Sequence, residues 1–556
     1  MDSSASFGGP APQWACLMRH WFPLIILAAA QFVMVLDSSV MNVSISQIVA
    51  DLDTTVTGVQ AAITAYTLVM AAFMLVGAKL GDIWGRDRVF AVGLAVYGLG
   101  SLTTALSPNL YVLLFGWSLV EGLGAVLVIP AIAALTAANY QGKDRAFAYG
   151  IIGGVAGAAI AVGPVIGGWV TTYYSWRLVF VGEVVIVVAI LLVRKQMQPA
   201  PRPDHPPRLD FVGAGLSAAA LGLIVFGILQ SSKWGWLLPV DAPSIGGHEI
   251  TPLGFSLVPF LIIGGVLLLW SFGMWEERRE RLGQDTLLER ALLRIESLRA
   301  GLTALLSQQL VLMGTFFVLP VYLQVVLGLD AFETGKRLLP MSVTMLIAAL
   351  AGPKLAARLA PRLVVQVGLA ALAVATLALV GTIDVELNET GFKLSLALFG
   401  VGAGLMMSQL GNVIMSSAPP GKTNEAGGLQ GTAQNLGASL GTALIGSVLL
   451  TGLLTGFNDR IAENPALSEP VRAQIAAATQ EGIEIVTTEQ ANATAISAGL
   501  TPAEADAVTA DYADAQLEAL KKAMLAVALL ALISLMFTRR LPSKPLAPEP
   551  DVAASP

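Results

Sequence analysis

The sequence predicts an all-α integral membrane protein with fourteen transmembrane spans, arranged as two six-helix bundles and two inserted helices. Apolar runs of about 20 residues recur along the chain, and each is long enough to cross a ~30 Å hydrocarbon core as a helix. The composition is 55% hydrophobic and 13% charged, whereas a soluble domain carries about 25% charged residues. No run shows strict two-residue alternation, so helices rather than a closed barrel satisfy the backbone in lipid.

Apolar runs bounded by charged residues or by Gly and Pro define the predicted spans. They are 21–47, 56–78, 88–107, 110–137, 146–172, 177–194, 211–231, 255–275, 300–327, 336–357, 363–383, 392–417, 426–455 and 518–538. If both termini are cytoplasmic, 23 of the 32 Lys and Arg residues lie in cytoplasmic segments, as the positive-inside rule requires. The first run lacks the short apolar core and cleavage site of a signal peptide, so we expect it to be retained in the cytoplasmic membrane.

One sequence motif recurs in the two halves of the chain. GAKLGDIWGRDR (77–88), after the second span, has a weaker echo in GPKLAARLAPRL (352–363), after the tenth. This spacing predicts a bundle at 21–195 and a second at 300–540, with residues 196–299 inserted and tails at 1–20 and 541–556. Two repeated bundles around a midplane site are the general plan of secondary transporters.

Two segments lie outside the predicted bundles. Residues 196–210 are Pro-rich and predict a stiff cytoplasmic linker. Residues 456–517 form a long outer loop, and from 459 to 522 there are eleven acidic and four basic residues, a net charge of −7. Thr501 to Glu504 is a capping box that predicts a helix from Pro502 into the last span, and Ser468 with Pro470 predicts a shorter helix before it. The loop either only connects two spans or concentrates cations by its charge.

Several classes of site are disfavoured by residue usage. Cys16 is the only cysteine, and none of the three histidines lies inside an apolar run, which disfavours a disulfide or a Cys/His metal site. No GxxxxGK[ST] phosphate-binding loop is present, so ATP-driven pumping is disfavoured. We expect no cofactor, no metal and no nucleic-acid partner, and a monomer surrounded by membrane lipid.

Asp37 is the strongest functional candidate on residue chemistry. It lies about 16 residues into the first span, roughly 24 Å along the helix at ~1.5 Å per residue. An ionised carboxylate inside the bilayer costs a few kcal/mol, so intramembrane carboxyls mark proton relays and ligand sites. Asp37 could carry a proton or pair with a cationic substrate. The alternative is a carboxyl satisfied by neighbours such as Ser38 and Asn42.

The chain resembles the fourteen-span drug:proton antiporters (EmrB/QacA-like) of the major facilitator superfamily. The resemblance rests on LDSSVMNVSI (36–45), on AIAVGPVIGG (159–168), on SWRLVF (175–180), on GGLQGTAQNLGASLGTA (427–443) and on the loop at 77–88. It implies the major facilitator fold, proton-coupled efflux and no enzymatic activity. The positions that match the antiporter motif are Gly163, Pro164, Gly167 and Gly168, and those that match the signature loop are Asp82, Gly85, Arg86 and Arg88. This resemblance also implies that the loop latches the cytoplasmic side.

Span 4 departs from the pattern of this family. Ser118 stands where the family has an Arg that assists proton transfer, and Glu121 stands where it has a Gln. Glu121 is therefore a candidate for protonation in place of the standard route. In span 6, Glu183 takes the family's usual Asn position, about six residues from the helix end, where a solvated interfacial role is equally open.

Small and polar residues complete the candidate site. Gly153, Gly157, Gly163 and Gly167 predict a face of span 5 for close helix approach beside a kink at Pro164, with either a hinge or a packing role. The embedded residues that could line a cavity are Asn42, Trp117, Gln309, Tyr322, Gln409 and Gln434. Carboxyls and amides without a deep basic residue favour neutral or cationic amphiphiles.

Three functions remain open at this stage. The first is proton-coupled export of lipophilic, cationic compounds. The second is a dedicated exporter or flippase for one lipid or natural product. The third is a sensor that keeps the fold without transport, which the intact span-5 motif and the embedded carboxyls disfavour.

Overall fold

The fold is built from long helices that follow the predicted apolar runs. The structure is a computed structural model and describes residues 13–140, 142–197, 208–245, 248–356, 358–419, 422–479 and 483–543. The predicted linker at 196–210 and the two tails therefore lie largely outside the described residues.

Eight helices form the first half of the chain. They are α1 (Gln13–Val43), α2 (Ile45–Asp51), α3 (Val56–Trp84), α4 (Arg86–Ala105), α5 (Leu110–Leu113), α6 (Gly122–Asn139), α7 (Gly142–Tyr173) and α8 (Arg177–Val193), with a π-helix at Leu114–Glu121 between α5 and α6 and a 3₁₀ turn at Arg194–Gln196. The insert holds α9 (Phe211–Trp234), α10 (Leu257–Arg281) and, between them, strands β1 (Ser244–Ile245) and β2 (His248–Glu249) with a 3₁₀ turn at Pro252–Gly254.

The second half repeats this plan. It comprises α11 (Arg290–Arg294), α12 (Glu296–Val321), α13 (Ala331–Ala356), α14 (Pro361–Val380), α15 (Glu389–Ser417), α16 (Thr423–Glu463), α17 (Glu469–Ala478), α18 (Thr488–Ser497) and α19 (Pro502–Phe537), with a π-helix at Tyr322–Val326 and a 3₁₀ turn at Thr538–Arg540.

Helices occupy each of the fourteen predicted positions, with ends that differ by several residues. Among the described residues, eleven helices are long and apolar enough to cross a membrane. The two parts of α7, Ile151–Ile160 and Val162–Tyr173, meet at 44° and make a twelfth if they form one bent span. The two remaining positions hold α8, which has only 17 residues, and α13, whose first turns carry charged residues. The bend lies beside Pro164, which removes a backbone donor inside the helix.

The two halves meet along two seams. One seam joins α3 to α16, where the Gln60 amide donates to the Thr442 carbonyl at 2.9 Å and the Ser439 hydroxyl donates to the Thr64 carbonyl at 3.1 Å. The other joins α7 to α13. The inserted helix α9 packs on both α3 and α16, and the hydroxyls of Ser231 and Ser447 are 2.6 Å apart. The insert therefore covers the first seam.

The acidic segment after α16 is a folded cap of helices. As predicted, a helix begins at Pro502 behind the Thr501–Glu504 capping box and continues to Phe537, and a shorter one follows Ser468. An additional helix, α18, begins at its own capping box, in which Thr487 and Gln490 bond reciprocally. The Tyr512 hydroxyl donates to the Glu484 carbonyl at 2.7 Å and fastens the α17–α18 connection to α19.

We expect Ile475→Ala to loosen this cap. Ile475 is 9% exposed within the apolar core of the cap, and truncating a buried Ile costs about 2–5 kcal/mol. Limited proteolysis should cut the variant faster between α17 and α19 and leave the membrane helices intact. The matched control is Ile496→Ala, at a side chain that is 49% exposed, which should be cut at the wild-type rate. Equal rates for both variants would contradict a packed cap.

Candidate functional site: a buried three-carboxyl cluster

Three carboxyl groups from three helices converge inside the first half. Asp37 comes from α1, Glu121 from the end of the π-helix and Glu183 from α8, and each is at most 1% exposed. One carboxylate oxygen of each residue lies within 4.8 Å of one from each of the others. The sequence identified all three residues as separate candidates, and the structure brings them together. We call this set the carboxyl cluster.

The π-helix explains how span 4 contributes to the cluster. Its wider turn carries both Trp117 and Glu121, and such segments occur frequently at functional sites. Helix α4 approaches it so closely at Gly100 that a Cβ there would lie 2.5 Å from the backbone nitrogen of Glu121. Only a glycine allows this approach, which seats Glu121 against α4.

Asp37 is held by an aromatic donor rather than by the neighbours considered from sequence. The indole N–H of Trp117 donates to Asp37 Oδ1 at 2.8 Å. The Trp117 ring stacks on Tyr66 of α3, with centroids 4.6 Å apart and planes 5° apart. Asn42 instead donates to the Ser38 carbonyl at 2.7 Å. The predicted alternative partners of Asp37 are therefore not the ones that bind it.

Glu183 is buried, so its solvated interfacial interpretation is wrong. Its Oε2 accepts hydrogen bonds from the Tyr97 hydroxyl at 3.1 Å and from the Ser101 hydroxyl at 2.9 Å, both on α4. Counting residues from the helix end underestimated its burial because α8 packs against α4 along its length. Tyr97, Ser101 and Tyr66 were not identified from the sequence, since nothing in their local pattern distinguishes them from other small or aromatic core residues.

The cluster retains polar atoms without partners. Within the described part of the chain, these are Asp37 Oδ2, both oxygens of Glu121, Glu183 Oε1 and the Tyr66 hydroxyl. A buried acceptor without a donor costs about 1–3 kcal/mol, and more if it is charged. Protons on the carboxyls, or a cation between them, would satisfy these atoms. The arrangement is therefore suited to taking up positive charge.

Ser118 makes a packing contact at the position where the antiporters that the sequence resembles have an arginine. It is 2% exposed, and its hydroxyl donates to the Ala62 carbonyl of α3 at 2.9 Å. A guanidinium at this position would displace the α3 contact. A serine rather than an arginine at position 118 therefore changes both the packing of span 4 against α3 and its charge.

The remaining cavity candidates are placed in different environments. Tyr322 is fully buried, and its hydroxyl donates to the Asp384 carbonyl at 2.7 Å, which supports the turn after α14. Gln409 is also buried and donates to the Gly352 carbonyl at 3.1 Å. Gln309 is 8% exposed, whereas Gln434 is exposed. Only Gln434 presents an accessible amide.

The signature loop (77–88) pairs its own charges and also reaches the other half. Asp82 Oδ1 accepts from Arg86 at 3.0 Å, and Gly85, at φ 93°, makes the tight turn that favours glycine. The contact across the seam is made by Lys79, whose Nζ lies 4.0 Å from Glu425 in the first turn of α16. Glu425 also pairs with Lys422 at 3.4 Å.

A second carboxylate strengthens this junction. Lys422 is bound by Glu289, from the segment before α11, as well as by Glu425. Partial burial opposes the charge of Lys422, but the two carboxylates outweigh it and raise the pKa of Lys422 above its ordinary value. Lys422 therefore stays charged through the neutral range and joins the inserted segment to α16.

The other end of the molecule is joined by hydrogen bonds between the halves. Gln324 donates to the Val43 carbonyl at 2.9 Å and accepts from Ser46. The Thr172 hydroxyl accepts from the Phe332 N–H at 3.1 Å. The antiporter-motif residue Gly168 faces the backbone of Ala331 in α13, where a Cβ would lie 2.8 Å from the carbonyl carbon.

The predicted glycine face of span 5 is divided between two neighbours. Gly163 and Gly167 pack on Ser39 and Val40 of α1, whereas Gly157 faces Leu346 of α13. A Cβ on Gly153 would meet nothing within 4 Å, so its inclusion in a close-contact face is wrong.

Comparison with known proteins agrees with this architecture. The sequence profile of the Major Facilitator Superfamily matches residues 27–442. The chain belongs to this superfamily. It is a multi-pass membrane transporter rather than an enzyme.

Similar curated proteins include antibiotic-resistance transporters. The puromycin resistance protein of Streptomyces alboniger is 30% identical over 80% of this chain and 84% of that protein. The tetracenomycin C resistance and export protein of Streptomyces glaucescens is 28% identical over 80% of this chain and 79% of that protein. Among solved structures, a bacterial homologue of the lysosomal transporter Spinster, inward-facing and unoccupied, superposes with a TM-score of 0.60 at 13% identity, over 94% of this chain and 98% of that one.

Proposed function

We propose that the protein exports lipophilic, neutral or cationic compounds across the cytoplasmic membrane in exchange for protons. In this proposal all fourteen helical segments span the bilayer, and both termini and the signature loop lie in the cytoplasm. The carboxyl cluster supports this proposal most directly. It is buried in the first half of the chain, and several of its oxygens have no hydrogen-bond partner among the described residues. The names of its relatives support export of drug-like molecules.

Repulsion between the three carboxylates favours the uptake of protons or of a cationic substrate by the cluster. Two ionised carboxylates whose oxygens lie within 4.8 Å of each other repel by at least ~3.5 kcal/mol at an effective dielectric constant of about 20. Three such groups retain protons until another positive charge offsets the repulsion between the carboxylates, or until the cluster is opened to solvent. Inward movement of protons would then be coupled to outward movement of substrate, driven by ~2.3 kcal/mol per charge per 100 mV plus the pH difference.

The three carboxyls differ in their hydrogen-bond partners, and this difference suggests different roles in proton transfer. Trp117 fixes one oxygen of Asp37, and Tyr97 and Ser101 fix one oxygen of Glu183. Glu121 has no hydrogen-bond partner for either oxygen. We assign Glu121 as the mobile member that passes a proton between two anchored groups, in place of the family's missing arginine.

A second candidate function is export of one natural product. Relatives named for single antibiotics favour a narrow substrate range. A panel of cationic dyes and antibiotics in proteoliposomes with an imposed pH gradient separates the two. Movement of many dyes that follows the gradient supports broad export, and movement of one compound alone supports the narrow function. If no compound responds to the gradient, proton-coupled export is wrong.

We expect Glu121→Gln to uncouple transport or shift its pH optimum. The amide removes the exchangeable proton but keeps the size of the side chain, so folding should be unchanged. Gradient-driven transport should fall about tenfold or more, equivalent to ~1.4 kcal/mol. The matched control is Glu276→Gln, which removes a buried carboxyl outside the cluster and should leave the pH profile unchanged. A wild-type profile for Glu121→Gln at every pH would mean that Glu121 is only packed.

A further inference from the structure

A lipid-facing groove runs between α1 and α7 near the signature-loop end of the molecule. Its volume is about 550 Å³, within the range of pockets that hold small ligands. The walls are entirely hydrophobic side chains: Trp21, Leu24, Ile25, Ala28, Ala29 and Phe32 from α1, and Phe147, Ile151 and Val155 from α7. This groove lies apart from the carboxyl cluster, and none of its described lining residues is ionisable.

The groove faces the bilayer rather than the interior. Along α7, its residues continue the exposed apolar stripe of Val162, Ile166 and Trp169, which are 40%, 39% and 45% exposed. Opposite them, Ile25 of α1 is 59% exposed. Because these side chains lie within the apolar part of their helices, the occupant is drawn from membrane lipid.

A side chain from the end of α6 bonds to the backbone of α1 beside the groove. The Tyr140 hydroxyl donates to the His20 carbonyl at 3.1 Å and accepts from the Leu24 N–H at 3.0 Å. Leu24 directly follows Pro23, which lies inside α1 and has no backbone N–H. The Trp21 ring stacks on Tyr140, with centroids 5.2 Å apart. Aromatic rings of this kind are enriched at the level of lipid headgroups.

The groove ends at a polar mouth, where the structure describes the side chains of His20 and Asp144. His20 Nε2 lies 3.1 Å from Asp144 Oδ2, and both side chains are about half exposed, at 48% and 53%. The sequence places Arg19, Lys143 and Arg145 directly beside these two residues. In the sequence, one acidic residue thus stands among three basic ones, and basic clusters next to a membrane helix attract anionic lipid headgroups.

We propose that this groove binds one anionic phospholipid, with an acyl chain between α1 and α7 and its phosphate at the basic mouth. The lipid would brace the first half of α7 against α1, on the signature-loop side of the 44° bend. Because α1 carries Asp37 and α7 packs on α13, the bound lipid would make transport sensitive to the anionic lipid content of the membrane.

Native mass spectrometry of the full-length protein tests this site. The protein is titrated with phosphatidylglycerol and with phosphatidylcholine of the same acyl chains. We expect one phosphatidylglycerol to be retained at least about tenfold more strongly, equivalent to ~1.4 kcal/mol. Ile151→Trp, which fills the groove, should abolish this preference. The matched control is Ile263→Trp, a 57% exposed position on α10, which should keep it.

Two further variants keep the test decisive. Ile25→Trp fills the groove from the opposite wall and serves if Ile151→Trp is poorly folded. Lys143→Gln with Arg145→Gln should remove the preference for phosphatidylglycerol without lowering the binding of phosphatidylcholine. Equal retention of the two lipids by the wild type, or unchanged retention in both groove-filling variants, would overturn the proposal. If the wild type binds phosphatidylglycerol selectively but transports no dye, the proposed export function is wrong and the lipid site stands.

Discussion

Asp37→Asn is expected to abolish export driven by a pH gradient while leaving the protein folded. An asparagine keeps the shape of the side chain, and its oxygen can still accept the Trp117 N–H that now binds Asp37 at 2.8 Å. It cannot carry a proton, however, and it removes one of the three interacting charges of the cluster. In proteoliposomes, gradient-driven transport should fall to the level of empty vesicles.

Two measurements separate this outcome from simple damage. Substrate counterflow, in which labelled and unlabelled substrate exchange without a gradient, should persist in Asp37→Asn because the transport path is intact. Glu276→Gln is the matched control, since Glu276 is another buried carboxyl, 1% exposed, whose Oε2 accepts the Leu288 N–H at 3.2 Å outside the cluster. That variant should retain gradient-driven transport. Gradient-driven transport by Asp37→Asn at the wild-type rate would remove Asp37 from the coupling mechanism.

The sequence is most informative where a local rule decides the structure. Apolar run lengths place helices at all predicted positions, and the capping box at Thr501 gives the start of α19. The box at Thr487 and Gln490 was equally readable, so α18 could have been predicted as well. Pro164 predicts the bend of α7, because proline lacks the backbone N–H for a helical hydrogen bond and weakens the helix at that point.

Features that depend on neighbours from distant parts of the chain could not be predicted in this way. Asp37, Glu121 and Glu183 are separated by 84 and 62 residues. Their convergence depends on how α8 and the π-helix pack on α4 and how α1 packs on α8. Nothing in the sequence marks Tyr97 and Ser101 as partners of Glu183, and the bond from the cavity candidate Trp117 to Asp37 depends on packing between distant helices. The contribution of Lys79 to the signature loop was similarly hidden, because its partner Glu425 lies at the start of α16.

The two seams between the halves differ in how far the inserted helices cover them. Helix α9 covers the α3–α16 seam through contacts such as that between Ser231 and Ser447, whereas no described element of the insert packs on the α7–α13 seam to this extent. Relative movement of the halves therefore depends most directly on the packing of α7 against α13. At the end opposite the signature loop, that packing relies on Gly168 and Gly335, each of which faces the backbone of the other helix.

Gly168→Ala is expected to open this end of the molecule and to impair transport strongly. A Cβ at position 168 would lie 2.8 Å from the Ala331 carbonyl carbon and 2.9 Å from the Phe332 Cα, and both are backbone atoms that cannot rotate away. Overpacking of this kind costs about 1–3 kcal/mol, enough to change a population ratio by roughly fivefold to more than a hundredfold. The equilibrium should therefore shift away from the arrangement in which Thr172 bonds to Phe332.

Spin labels on either side of the seam measure this shift directly. Cysteines are introduced by Tyr173→Cys and Glu333→Cys in a Cys16→Ser background, and pulsed electron paramagnetic resonance gives their distance distribution. In Gly168→Ala the distribution should move to longer distances, and transport should fall with it. The matched control is Gly153→Ala in the same helix, where a Cβ meets nothing within 4 Å and the helix gains propensity by replacing a glycine. It should keep both the wild-type distances and the wild-type transport rate. If Gly168→Ala also leaves the distances unchanged, the added Cβ is accommodated without opening this end, and Gly168 of the antiporter motif has no closing role in this protein.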